Sequence, residues 1–185
     1  MTIVYLEGTR PDGSPSQARP DAFDDARVLL RIDATGCPVV LGAWAATTRS
    51  GQDGIEDSVD ELGPPRLEPG QYKAWVTGTT AIGTKLEQES LIQVTELPVR
   101  RDADGDHHRQ GDPRQRGQFV IDQHGSLEAP MDAVGDSAVG CLVGQSQTGH
   151  AEFMALLRSD PRWRASNAYR FMTSLLTLAE LDCAD

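Results

Sequence analysis

Short apolar segments separated by turn-rich loops run through this sequence and limit what it can fold into. Each is only about four to six residues long and rich in β-branched or aromatic side chains, which favours strands over helices. The predicted strands are Ile3–Leu6, Val28–Ile32, Val39–Trp44, Tyr72–Val76, Leu91–Val94 and Phe119–Ile121. The pattern therefore predicts a mainly β (α+β) fold, a compact sandwich-like or barrel-like domain.

The remaining segments divide into long loops and one late helix. Arg10–Pro20 and Ser50–Gly70 are rich in proline and glycine and are predicted to be irregular, either as surface excursions or as binding elements. From Thr148 to Arg158, apolar side chains recur at helical spacing, with Thr148 as the expected N-cap. Ala168–Leu178 fits a closing strand or a second helix, and the alternation through Tyr169 favours the strand.

Composition narrows the class of protein. A chain of 185 residues is expected to form a single domain, residues 1–185. Its net charge of −11 would repel a phosphate backbone, so we expect no nucleic-acid partner. No apolar run approaches the ~18–20 residues that span a bilayer, and the first residues lack a basic segment. We therefore expect no membrane insertion, no signal peptide and a cytoplasmic location as synthesised. Three cysteines without metal-type spacing predict reduced thiols.

An acidic loop places carboxylates at alternate positions. Asp102, Asp104 and Asp106 are followed by Asp112. Carboxylates spaced in this way can surround one hard cation, and calcium takes six to eight oxygen ligands. The sequence therefore offers a structural calcium site that would brace the loop rather than take part in chemistry. The alternative is a solvated acidic turn.

A histidine and a cysteine occur at what are predicted to be strand ends. His124 follows an apolar run, and Cys141 comes directly after Gly140 and before Leu142-Val143. Two such ends can be neighbours, which would place an imidazole beside a thiol. A histidine within hydrogen-bonding distance can accept the thiol proton, and backbone amides at Gly140 and Cys141 could stabilise an oxyanion. The alternative is a buried core cysteine, since free cysteines are among the most buried residues.

This segment resembles the catalytic motif of the L,D-transpeptidase (YkuD-like) family, in which a histidine precedes Ser/Thr-His-Gly-Cys. Gly140-Cys141 matches the Gly-Cys of the family, and sixteen residues separate His124 from Cys141, slightly fewer than in the family. Val139 stands where the family has histidine and Ala138 where it has Ser/Thr, with Ser137 one position earlier. The arginine that commonly follows the cysteine is absent. The resemblance implies a cysteine nucleophile that cuts or rejoins peptidoglycan stem peptides, without a cofactor.

A larger part of the chain is similar to a looser, largely uncharacterised group of phage-encoded and bacterial proteins. Five segments occur in the same order as in that group. They are Gly70–Trp75, Asp102–Asp112, Ile121–His124, Gly140–Gly144 and Gly149–Met154. The two resemblances imply a catalytic core at about residues 70–160. They also imply a phage lysin released to the cell wall on lysis, or a protein carried in the virion.

Further residues are candidates for substrate binding. Tyr72 and Trp75 could line a groove for sugar or peptide, and Lys73 could bind a substrate carboxylate. The alternative is an aromatic core face with a solvated lysine. Arg116 belongs to a basic cluster that could replace the missing arginine, or could neutralise the acidic loop.

Three functional hypotheses follow. The first is a cysteine-dependent acyl-transfer enzyme in which Cys141 attacks an amide carbonyl and His124 moves the proton. The second is a non-catalytic phage structural or cell-wall-binding module. The third is a metal-dependent hydrolase that uses the histidines and the acidic loop. Zinc could be held by His150 together with His107, His108 or His124, although no zinc motif is present.

Overall fold

The chain folds into a closed barrel, and its first strand shows the alternation of buried and partly exposed side chains expected of a sheet that encloses a core. In β1, for example, Ile3 and Tyr5 are fully buried, whereas Val4 and Leu6 are partly exposed. A computed structural model describes residues 1–17, 19–56, 58, 60–82, 86–126 and 132–178. The strands are β1 (Thr2–Glu7), β2 (Asp25–Ile32), β3 (Pro38–Thr47), β4 (Pro65–Leu67), β5 (Gly70–Ile82), β6 (Leu86–Gln93), β7 (Leu97–Arg101), β8 (Arg114–Gly117), β9 (Gln123–Gly125), β10 (Leu142–Gly144) and β11 (Phe171–Thr177). The mainly β prediction is confirmed.

Eight strands form the barrel in the order β1-β11-β5-β6-β9-β10-β3-β2, with β1 and β2 adjacent. Two neighbouring pairs are parallel, β1 with β11 and β9 with β10, and the other pairs are antiparallel. The strands β4, β7 and β8 form a separate three-stranded sheet. Leu67, Leu97 and Val99 of this sheet belong to the same apolar core as the barrel interior, so the sheet packs onto the barrel.

The helices are α1 (Gln52–Glu56), α2 (Gln147–Arg158) and α3 (Pro161–Ala165). The late helix is confirmed as α2, although its N-cap is Ser146, whose hydroxyl accepts the Gly149 N–H, rather than Thr148. Phe153, Met154 and Leu157 of α2 pack into the barrel core. Among the described residues, no helix is both long and apolar enough to cross a bilayer.

Two local predictions were wrong. Phe119–Ile121 is not a strand, because Val120 has a positive φ of 57° and the Gln93 side chain takes the N–H groups of Phe119 and Ile121. The segment Ser50–Gly70, predicted to be irregular, contains α1 and β4. In contrast, the prediction of a strand within Ala168–Leu178 is confirmed by β11.

Candidate functional site

His124 lies in the middle of β9 and is held in one protonation form. Its Nδ1 is 2.9 Å from the carbonyl oxygen of Gly125. A carbonyl can only accept, so Nδ1 carries the proton and Nε2 is left as a basic nitrogen. Burial lowers the pKa of His124, whose exposed fraction is 3%. The imidazole is therefore neutral at pH 7.

Cys141 directly precedes β10, which is the parallel neighbour of β9. Val143 is the register partner of His124, and Leu142 donates its N–H to the Asp122 carbonyl at 2.9 Å. The structure thus brings the segments that carry Cys141 and His124 onto adjacent strands. The Cys141 thiol, however, donates its hydrogen bond to the carbonyl of Val120, at an Sγ–O distance of 3.4 Å.

The thiol is protonated in this arrangement. Cys141 packs against an apolar cluster that includes Phe23, Val134 and Val143. Burial raises the pKa of Cys141 to about 12. Although the residue as a whole is half-buried, its sulfur meets apolar side chains and a carbonyl oxygen. In the resting state the Cys141 thiol and the His124 imidazole are therefore both neutral, and the thiol is hydrogen-bonded to the Val120 carbonyl rather than to the imidazole.

The backbone before Cys141 is fixed by close contacts. Gly140 has a φ of +98°, and a Cβ at this position would lie 2.4 Å from the carbonyl oxygen of Pro65. Only glycine fits there without strain. Ser137 ends a short 3₁₀ helix, Gly135–Ser137, and is buried. The carbonyl of Ala138 accepts the N–H of Gly51 at 3.0 Å. These contacts define the position of the cysteine relative to β4.

Three of the four predicted substrate residues line one groove. Tyr72, Lys73 and Arg116 surround a space of about 380 Å³, and the described residues that line it do not include Cys141 or His124. The Lys73 ammonium lies 5.2 Å from the centre of the Tyr169 ring. Trp75 does not face this groove. It is fully buried in the barrel, where its indole N–H donates to the Ile121 carbonyl at 2.7 Å.

The acidic loop is compact enough for a cation. One carboxylate oxygen from each of Asp102, Asp104 and Asp106 lies within 4.8 Å of the others. Among the described residues, this is the only group of three or more His, Cys, Asp or Glu side chains with such spacing.

His150 is engaged elsewhere, which leaves the zinc hypothesis without a ligand set among the described residues. Its Nε2 is 2.8 Å from the Glu89 carbonyl and its Nδ1 is 3.2 Å from Nη1 of Arg27. The first partner accepts and the second donates, so both ring nitrogens are hydrogen-bonded in the neutral form. Burial lowers the pKa of His150 to about 3.

A cluster of buried charges around Glu7 was not predicted from the sequence. Glu7 accepts two hydrogen bonds from Arg109, at 2.6 and 2.5 Å, and one from the Thr48 hydroxyl at 2.7 Å. The guanidinium of Arg66 lies 3.4 Å from the same carboxylate. The spacing of residues in β1 could have indicated that Glu7 is buried, because Glu7 follows the inward-facing Ile3 and Tyr5 at alternate positions.

Comparisons with protein-family models, with curated proteins and with solved structures gave no significant match for this chain. The class defined by the structure itself is a closed eight-stranded β-barrel with an attached three-stranded sheet.

Proposed function

We propose that this protein is a cysteine-dependent acyl-transfer enzyme that acts on peptidoglycan stem peptides. The observation that carries the proposal is the state of His124. Its Nδ1–H is held by the Gly125 carbonyl, and its strand lies beside the strand that follows Cys141. A base oriented in this way has Nε2 available to accept a proton. The substrate class rests on the resemblance to the L,D-transpeptidase motif.

The chemical step uses His124 as a general base. The thiol turns from the Val120 carbonyl towards the imidazole, and Cys141 Sγ attacks the amide carbonyl carbon while its proton passes to Nε2. The C–N bond then breaks, the amine leaves with that proton, and an acyl thioester remains on Cys141. Water completes a hydrolysis, and a second amine completes an exchange. Because the pKa of the resting thiol is about 12, proton transfer accompanies attack rather than preceding it.

The groove formed by Tyr72, Lys73 and Arg116 supports a peptide substrate. Lys73 and Arg116 can bind the free carboxylates of a stem peptide, with the exposed Arg116 exchanging its partner Glu96 for the substrate. A location at the cell wall, reached through phage lysis or from the virion, belongs to the same proposal.

The test is turnover of defined muropeptides followed by liquid chromatography and mass spectrometry. We expect wild type and Cys37→Ser, which alters an exposed thiol, to cleave or exchange a stem peptide. Cys141→Ala and His124→Gln should lose the activity. Intact-mass analysis should show an acyl adduct on wild type and on Cys37→Ser, and none on Cys141→Ala. Activity that survives in Cys141→Ala, or the absence of turnover and adduct on muropeptides of every wall type, would overturn the proposal.

A second candidate is a non-catalytic phage structural or cell-wall-binding module. It is favoured by the protonated thiol and by Val139, an exposed apolar residue where the L,D-transpeptidase motif has histidine. Sedimentation with purified sacculi tests it. Equal co-sedimentation of wild type and Cys141→Ala, without turnover, would support this candidate over the enzyme.

A further inference from the structure

The loop between β7 and β8 concentrates negative charge in a small volume. Oxygens of Asp102, Asp104 and Asp106 lie within 4.8 Å of one another. Two oxygens on opposite sides of one calcium ion are about 4.6–5.2 Å apart, twice the ~2.3–2.6 Å Ca–O distance. The three carboxylates therefore lie within the span of a single calcium ion.

A fourth carboxylate from the end of the loop points to a ligand. Asp112 has an exposed fraction of 5%, and its buried Oδ2 has no hydrogen-bond partner among the described residues. Asp112 lies opposite Asp102 at the base of the loop, because the Arg101 N–H donates to the Pro113 carbonyl at 3.0 Å. Burial and the negative charges of Asp102, Asp104 and Asp106 raise the pKa of Asp112. Oδ1 of Asp102, also in a 5% exposed residue, is likewise buried without a partner. Buried carboxylate oxygens are normally paired or bound to metal.

The arginines near the loop are engaged with other acceptors. Arg66 donates to the His107 carbonyl at 2.5 Å and contacts Glu7, Arg101 pairs with Asp60, and Arg100 donates to Glu68. Within the described part of the chain, no salt bridge reaches any of the four loop carboxylates. Among the described residues, the four carboxylates therefore have no directly paired cation, and Arg66 acts on Asp112 only through its charge.

We propose that Asp102, Asp104, Asp106 and Asp112 form a calcium site that braces the loop between β7 and β8. The donors are all hard oxygens, which favours calcium over zinc or copper. Backbone carbonyls of the loop and water would complete the coordination. The same loop carries Arg109 to Glu7 and the His107 carbonyl to Arg66, so the ion would hold the small sheet on the barrel. This inference is independent of the chemistry proposed for Cys141.

Calcium binding is tested by calorimetry and thermal unfolding on the EDTA-treated full chain. We expect one calcium site in wild type, and a rise of about 5–10 °C in midpoint temperature at a hundredfold excess of calcium over Kd. Magnesium should bind more weakly. Asp112→Asn and Asp104→Asn should lose most of the calcium affinity. Asp132→Asn, which removes an exposed carboxylate outside the loop, is the matched control and should bind as wild type does.

The variants also distinguish loss of calcium binding from general destabilisation of the fold. In EDTA, Asp112→Asn should melt no lower than wild type, because it removes repulsion among unpaired carboxylates. If Asp112→Asn fails to fold, Asp104→Asn, whose side chain is exposed, carries the test. The proposal is overturned if wild type shows no heat and no midpoint shift up to about 5 mM calcium, beyond the ~10⁻⁴–10⁻³ M range of weak extracellular sites. It is also overturned if both loop variants bind calcium with wild-type affinity.

Discussion

Arg109 binds the carboxylate of Glu7 through two N–H donors, at 2.6 and 2.5 Å, across 102 residues of sequence. Glu7 ends β1, and Arg109 lies in the loop between β7 and β8. The contact therefore joins the barrel to the small sheet through a buried, bidentate ion pair. Thr48 and Arg66 complete the surroundings of the same carboxylate.

Replacing this carboxylate should strongly destabilise the protein. Glu7→Gln leaves two largely buried guanidinium groups without their counter-charge, and breaking a buried pair in this way costs about 3–5 kcal/mol. Urea unfolding measures the change. The control is Glu96→Gln, since Glu96 pairs with Arg116 at 3.6 Å and both side chains are about two-thirds exposed. That variant should lose no more than about 1 kcal/mol. Equal losses in the two variants would contradict a structural role for the buried pair.

The same carboxylate should make stability depend on acid pH. Burial alone would raise the pKa of Glu7, but the hydrogen bonds and charge of Arg109, with help from Arg66, hold it at about 2. The unfolded value is 4.5. The stabilisation that ionised Glu7 gives the folded protein is therefore fully present above pH 4.5 and is lost as the pH falls towards 2. Urea unfolding of wild type and Glu7→Gln between pH 6 and pH 2.5 should show the stability difference shrinking on acidification. A constant difference would rule out this titration.

His150 should add a second pH dependence at higher pH. Burial, together with the charge of Arg27, lowers the pKa of His150 from 6.5 to about 3. Below pH 6.5 the unfolded chain takes up a proton that the folded protein does not, so stability falls from pH 6.5 towards pH 3. At pH 5 this amounts to about 2 kcal/mol, from 1.5 pH units at 1.36 kcal/mol each.

The variant His150→Gln isolates the contribution of His150 titration to the pH dependence of stability. Its amide can still accept from Arg27 and donate to the Glu89 carbonyl, while losing the titration. The slope of unfolding free energy between pH 6.5 and pH 4 should be shallower than in wild type, whatever the absolute stability. Parallel slopes would show that His150 does not titrate in this range.

Cys141 should resist alkylation in the resting protein. With a pKa of about 12, only about one thiol in a thousand is ionised at pH 9. Iodoacetamide labelling followed by peptide mass spectrometry should modify the exposed Cys37 first and leave Cys141 at least tenfold slower from pH 6 to pH 9. Cys141 labelling as fast as that of Cys37 near pH 7 would contradict a protonated resting thiol. Slow labelling agrees with the proposed mechanism, in which His124 takes the proton during attack on a bound peptide.

Gly140 should tolerate no side chain. In Gly140→Ala the methyl group would meet the Pro65 carbonyl at 2.4 Å in addition to the strain of a positive φ. Gly13→Ala is the matched control, because Gly13 also has a positive φ, +84°, but its Cβ position is open. We expect about 1 kcal/mol of destabilisation at Gly13 from the backbone alone and at least twice that at Gly140. Urea unfolding compares them, and similar losses would mean that the loop before Cys141 moves freely away from β4.

Several strands of the barrel could be predicted from short apolar runs rich in β-branched and aromatic residues. Strands β1, β2 and β3 each contain the run that predicted them, although burial alternates strictly only in β1. The failure at Phe119–Ile121 has a non-local cause. The Gln93 side chain, more than twenty residues away, takes two of its N–H groups, and no local pattern reveals such a partner.

The sequence indicated which residues could form the candidate site but not how they are placed relative to one another. The position of Cys141 relative to His124 depends on the parallel pairing of β9, which contains His124, with β10, which follows Cys141; each strand is three residues long. Strands so short carry little periodic signal. Trp75 shows the opposite limit. From the sequence, an aromatic residue in a strand can belong to a binding groove or to the core. Only the closed barrel shows that Trp75 belongs to the core. The Glu7–Arg109 pair escaped prediction because its partners are remote in sequence.

The parallel pairing of β1 with β11 has a consequence for synthesis on the ribosome. Register contacts from Thr2↔Met172 to Glu7↔Thr177 join the first strand to the last one. The edge of β1 that pairs with β11 therefore stays unpaired until more than 160 further residues have been translated. The barrel therefore closes late, through contacts between residues far apart in sequence, and such contacts form slowly. Until then, an unpaired strand edge that can pair with other chains is exposed. The nascent chain is thus most vulnerable to aggregation just before β11 leaves the exit tunnel, and chaperone dependence should be greatest at that moment.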